Sequence, residues 1–169
     1  MSNKVLRGDV TIWAAHVDAF ANPADPKIAE MNNANLVFNI SCAIEDSYTL
    51  NATSSATDDS MSVCDTGNVS TPTFANYEAS LDGFRDESPS ANGVYNRFLR
   101  LFRVKNRDFY LIKRLNVAQG TSVAANHVLY LYRVRTDNPQ FLADRGEAVR
   151  LGARFKPLGE IYQDVKVLS

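Results

Sequence analysis

The 169 residues are 45% hydrophobic and 22% charged, a balance that excludes wholesale disorder and fits one globular domain with a single core. No run approaches the ~18 uninterrupted apolar residues of a membrane span, and the start MSNKVLRGDV lacks the apolar stretch of a secretory signal, so the protein is expected to be made and kept in the cytosol. The net charge of −1 conceals a split: residues 1–92 carry 4 Lys/Arg against 13 Asp/Glu, and residues 93–169 carry 14 against 6.

Opposite potentials on two parts of one chain can steer copies together and fix their register. They can equally be mixed over one folded surface, and the sequence leaves both readings open. Two cysteines, Cys42 and Cys64, are too few for a disulfide framework and too isolated for a zinc site, so both are read as free thiols.

In chain order, DVTIWAAHV (9–17) reads as a strand, followed by a loop marked by Pro23 and Pro26. NLVFNISCAIE (35–45) alternates Leu36, Phe38, Ile40, Cys42 and Ile44 against Asn39, Ser41 and Ala43, which predicts a half-buried strand. The stretch that follows, residues 51–72, is rich in Ser, Thr, Asp and Asn. A structureless connection of that length in a compact domain points to a functional loop. Its Asn-x-Ser/Thr matches at Asn51 and Asn68 mean little without a secretory signal.

A second alternation, TFANYEASLDGFR (73–85), sets Ala75, Tyr77, Ala79 and Leu81 against Asn76, Glu78, Ser80 and Asp82, so its polar face is acidic. Ser88-Pro89 predicts the start of one helix, about 89–105. On a helical wheel Val94, Phe98, Leu101 and Phe102 share one side and Arg97, Arg100, Arg103 and Arg107 the other. Strand patterns resume at 108–115, 128–135, 148–157 and 160–168, the last two separated by a turn at Pro157-Leu158-Gly159. Strands, one helix and more strands, without a βαβ alternation, predict a mainly-β sandwich or barrel with a single flanking helix.

Catalysis has little to build on. His16 and His127 stand apart, with no metal-binding spacing, and no nucleophile elbow, P-loop or G-x-G-x-x-G occurs. We therefore expect no catalytic residue, metal or cofactor. Asp58-Asp59 reads as solvated charge, and Arg7-Gly8-Asp9 as a chance match. The arginine row could track phosphates, which keeps open a monomeric nucleic-acid-binding β-domain, although the pI near 6 and the acidic strands oppose it.

The order of elements then becomes informative. PKIAEMNNANLVFNIS with Ala29-Glu30-Met31-Asn32, the long polar loop, YEASLDGFRDES spanning Tyr77 to Asp86, one helix, a strand ending LIKRL and closing strands together resemble the major tail tube protein of long-tailed, non-contractile bacteriophages. The resemblance covers nearly the whole chain. It implies a single domain, 1–169, whose copies form six-fold rings stacked into a tube around a tape measure protein, capped by terminator and tail tip proteins. A tail terminator or other tail ring protein is the alternative within the same group.

The resemblance further implies an N-terminal arm, about 1–10, and a stacking loop, about 51–72 with Asp58, Asp59 and Asp65, that reach the next ring. The location implied is the virion tail, assembled in the host cytoplasm without a membrane. DNA would pass through the bore without specific binding, which calls for an acidic or neutral lining because phosphate contacts with Lys or Arg grip. Glu78, Asp82, Asn76 and Ser80 are the candidates for that lining; otherwise they lie outside the sandwich or pair with basic neighbours. Arg97, Arg100, Arg103 and Arg107 would then face the exterior or a subunit interface.

Overall fold

The computed structural model describes residues 9–58, 71–72, 75–88, 92–142 and 148–169. Ten strands are placed: β1 (Thr11–His16), β2 (Val37–Asn39), β3 (Thr49–Thr53), β4 (Thr57–Asp58), β5 (Thr71–Pro72), β6 (Asn76–Phe84), β7 (Asp108–Arg114), β8 (Val128–Thr136), β9 (Gln140–Leu142) and β10 (Arg150–Lys166). Two helices accompany them, α1 (Ile28–Met31) and α2 (Val94–Phe102). The predicted mainly-β fold with a flanking helix is therefore what the chain adopts.

Eight strands form one antiparallel sheet in the order β2-β1-β7-β8-β10-β6-β3, with β9 also on β10, while β4 and β5 pair separately. The long β10 belongs to both halves of this sheet: residues 150–154 pair with β6, and residues 155–166 pair with β8. The halves then fold over a shared core. Ile12, Ala14, Phe109, Leu111, Tyr132 and Val134 from β1, β7 and β8 meet Leu50, Tyr77, Leu81, Leu151 and Ala153 from β3, β6 and β10. Every one of these comes from alternate strand positions, the period-two pattern that a half-buried strand imposes.

Helix α2 plugs the same core with Phe98, Leu101 and Phe102 and leaves Arg97 and Arg100 exposed, so its amphipathic pattern was read correctly. Its extent was not. Gly93 precedes the first turn, the predicted start at Pro89 lies outside the described residues, and the helix ends at Phe102. Asn106, at a φ of 63°, turns the chain left-handed into β7, and Thr136 Oγ1 accepts the Arg107 N–H at 2.9 Å. Arg107 thus lies beyond the helix.

Three other expectations are corrected. The connection at 51–72, expected to be structureless, begins inside the sheet, because β6 offers its edge to the chain as far as Thr53, and Thr57–Asp58 then pairs with Thr71–Pro72. The alternation at 35–45 yields only the three residues of β2, after which Ser41–Ala43 form a 3-10 turn. Ser41 Oγ accepts the Ile12 N–H at 2.8 Å, and Asn39 Oδ1 accepts the Ser41 N–H, so side chains take over bonds that a ladder would have made. Ala43, read as outward, is fully buried.

The turn expected at 157–159 is an irregularity inside β10. Pro157 pairs with Val134 and Ile161 with Tyr132, two residues too many on one strand, with Gly159 at a φ of 80°. Tyr77 secures it: its hydroxyl accepts the Leu158 N–H at 2.8 Å and donates to the Arg133 carbonyl. A second irregularity, one residue in excess, follows between Tyr162 and Val165, where Asp164 takes a φ of 54°. Such bulges add twist, and they let one strand serve both halves.

The far face of β1, β7 and β8 is covered too. Trp13, Tyr110, Ile112, Leu129 and Leu131 pack there with Phe20 and Met31 of the 17–36 segment and with Val123. Helix α1 orients that segment through Glu30, whose carboxylate accepts the backbone N–H groups of Lys27 and Ala21.

Candidate functional surface

The opposite half of the sandwich differs, because its outer face has no layer over it among the described residues. β6 alternates inward Tyr77, Leu81 and Gly83 with outward Glu78, Ser80 and Asp82, as the sequence pattern predicted. Glu78 is exposed; Asn76, Ser80 and Asp82 are half-buried. Beside β6, the register Arg154↔Ser80, Gly152↔Asp82, Arg150↔Phe84 brings the outward residues of β10 onto the same face.

That register changes the charge of the surface. β6 read alone is acidic, but β10 adds Arg150, Arg154 and Lys156 to it. Arg154 Nη1 donates to Asp82 Oδ1 at 2.6 Å, and Arg150 Nη1 donates to Glu45 Oε1 at 2.7 Å. Lys156 Nζ lies 3.4 Å from Asp137 Oδ2. Gly152 makes room for the Asp82–Arg154 pair: a Cβ there would stand 3.1 Å from Asp82 Oδ1 and 3.2 Å from Arg154 Nη2. The face is polar and balanced in charge, and Glu78 has no ion-pair partner among the described residues.

Among the described residues this half ends in two edge strands, β3 and β9. Glu45 N–H donates to Asp82 O, so the backbone of Asp82, and by alternation that of Ser80 and Glu78, points towards β3. Leu50, opposite Ala79, therefore turns its carbonyl to the free side, where Lys113 Nζ donates to it at 2.8 Å and to Asn51 Oδ1 at 3.0 Å. Burial pushes the Lys113 ammonium below the usual lysine range. At the other end, Phe141 of β9 is 60% exposed although it stands opposite the buried Leu151.

The remaining sequence candidates are scattered. Asp58 is exposed at the end of β4; Asp59, Asp65, residues 1–8 and Cys64 lie outside the described residues. Arg97, Arg100, Arg103 and Arg107 are all exposed, with Arg97 5.8 Å from the Phe38 ring centre and Arg100 Nη1 3.5 Å from Asn92 Oδ1. Sequence reasoning missed Glu45, Arg150 and Arg154, because only the pairing of distant strands brings them to β6.

Arg114, which the sequence did not single out, is fully buried yet belongs to no ion pair among the described residues. It stacks 5.0 Å from the Trp13 ring centre, and its guanidinium donates to the carbonyls of Ala118, Thr121 and Ser122. It therefore tethers the loop between β7 and β8. His127 Nδ1 accepts the Ala124 N–H at 3.2 Å and faces Arg114 Nη1 at 3.4 Å, so the ring carries its proton on Nε2. Burial, and then the Arg114 charge, push the His127 pKa below its ordinary value.

The unfolded chain takes up that proton near pH 6.5, the folded chain only at lower pH. The stabilisation is thus complete above about 6.5 and is lost as pH falls from there towards the folded value. Melting temperature should drop more between pH 7.5 and 5.5 in the native protein than in a His127→Gln variant; equal drops would exclude His127 as the cause.

Among the described residues no helix is long and apolar enough to cross a membrane. No curated protein matches the chain. A family model described as "Phage tail tube protein" matches residues 1–169, the whole length. With the mainly-β fold and flanking helix that the order of elements predicted, the chain belongs to the phage tail tube protein family, a structural family of the virion tail.

Proposed function

We propose that copies of this chain form six-membered rings that stack into the tube of a non-contractile tail and conduct viral DNA to the host. The observation that carries the reading is the half of the sandwich made by β3, β6, the start of β10 and β9, uncovered on its outer face and ending in two edge strands. An exposed sheet edge is a template for pairing with another chain. Six copies joined edge to edge close a ring, and the uncovered faces become its lining.

In this arrangement Glu78, Asp82, Asn76 and Ser80 look into the bore. Helix α2 packs on the core side of β6, so Arg97, Arg100 and Arg103 look away from it. Residues 1–10 and the part of 51–72 that follows β3 reach the next ring, the tape measure protein fills the tube during assembly in the host cytoplasm, and terminator and tip proteins close its ends. Negative-stain micrographs of the purified protein should show tubes or six-fold rings. A strictly monomeric protein at high concentration that is retained on DNA until salt is raised would overturn the reading in favour of a nucleic-acid-binding domain.

A lining role has its own consequence. Changing Glu78 and Asp82 together to lysine should leave tubes intact and slow DNA delivery, because each subunit then offers new phosphate contacts. Normal infectivity of phage carrying both changes would remove these residues from the bore.

A further inference from the structure

Among the described residues, each basic side chain on the uncovered sheet face has a carboxylate beside it, and for the two arginines the arrangement is built into the fold. Asp82 stands opposite Gly152 in the β6–β10 register, and the Arg154 guanidinium crosses the bare glycine to reach it. Glu45 is carried to Arg150 by a backbone bond from its own N–H to the Asp82 carbonyl, and the Ile44↔Gly83 bridge holds the same segment against β6. Both pairs are half-buried, with side-chain exposures of 33% and 25% for Arg154 and Asp82 and of 21% and 22% for Arg150 and Glu45. Arg154 and Asp82 lie far apart in sequence, as do Arg150 and Glu45, and these two pairs join the acidic part of the chain to the basic part.

We propose that Asp82 and Glu45 are charge masks that keep Arg154 and Arg150 from binding the phosphates of nucleic acid moving over this face. The proposal rests on reading the face as the bore lining. A guanidinium is the side chain best suited to hold a phosphate, because its donors form a planar fork. Here one arm of each fork is already on a carboxylate at 2.6–2.7 Å. A phosphate must displace that carboxylate and approach its negative charge, so contact with passing DNA is weak and brief. The arginines remain as cross-strand ties, and the face stays slippery without being strongly acidic. Glu78 differs in kind: it carries charge on the same face and, among the described residues, masks no cation.

The face is open to a short DNA duplex in a single subunit and in the bore of a ring, so binding can be measured on the purified protein by gel shift at about 50 mM salt. An Asp82→Asn, Glu45→Gln double variant keeps side-chain shape and hydrogen-bond acceptors while removing the masking charge. Its DNA affinity should rise at least tenfold over the native subunit and fall back by about 200 mM salt, since each freed phosphate contact adds to the salt slope. Glu78→Gln removes a charge from the same face without unmasking an arginine and should change affinity less than twofold.

Masking is overturned if the double variant binds no better than the native subunit, if the native subunit already binds as tightly, or if Glu78→Gln gives as much per charge removed. Micrographs of the same preparations report separately on assembly. Loss of rings in the native protein would sink the tube reading, whereas rings with an unresponsive double variant would sink only the masks.

Discussion

Replacing Phe102 with alanine should cost about 3–5 kcal/mol, the range for removing a large buried aromatic. Phe102 is 1% exposed at the point where helix and sheet halves meet. Its ring lies 4.9 Å from Phe98, 5.3 Å from Phe109 and 5.1 Å from Phe155, all edge to face, so one side chain joins α2, β7 and β10. Such ring pairs contribute beyond the area they bury. For a chain of this size each kcal/mol shifts the melting temperature by roughly 2–4 °C, so the variant should melt about 6–20 °C below the native protein. A shift under 2 °C would show that the four-ring junction is not a stabilising element.

Half of that junction was legible: Phe98 and Phe102 are four apart on a helix and share its apolar side. Phe109 opens an unbroken apolar run, Phe109–Ile112, that is buried on both faces, so no period told which of its residues turn towards the helix. What was not legible has local and non-local causes. Between 36 and 44 the apolar residues keep a period of two, yet the chain leaves the ladder because Ser41 and Asn39 bond backbone groups directly. At 157–159, Pro and Gly gave the ordinary signs of a turn. No hairpin forms there because β8 and the Tyr77 hydroxyl hold both sides of the bulge in one strand. Helix α1 left a readable trace in Pro26 and Glu30, but four residues are too few for a period.

The candidate surface shows the deeper limit. β6 alone gives the right outward residues and the wrong surface charge, because its neighbour β10 is about seventy residues further on and pairing partners at that distance leave no mark in local pattern. The opposite charges of the chain's two parts are partly used inside the subunit, at Asp82–Arg154 and Glu45–Arg150. The arginines of α2 remain exposed and available for contacts between copies. Intrachain pairing and association thus draw on different members of the basic set.

A single methyl group at Gly83 should separate the helix from the sheet. An added Cβ would stand 2.2 Å from Phe98 Cε1 and 2.4 Å from Cδ1, far inside van der Waals contact. The Phe98 ring is fully buried against Phe102 and has no free volume to retreat into. Gly83 cannot yield either, since its neighbours on both sides are strands, Leu151 of β10 and the bridge to Ile44. Overpacking of a tight core costs about 1–3 kcal/mol, and here the strain falls on the buried contact that seats α2 on β6, leaving the edge-to-face pair of Tyr95 and Phe84 at 6.1 Å beside it. In Gly83→Ala, hydrogen exchange should accelerate at least tenfold for the α2 amides while β1 and β7 amides keep their protection, because their ladders lie in the other half of the sheet. Uniform acceleration across both would mean that helix and sheet unfold as one unit; unchanged exchange in α2 would mean that the ring adapts. If α2 supplies contacts between copies, the same variant should retain the β-sheet and lose assembly, and it would locate that contribution in the helix face rather than in the sheet edges.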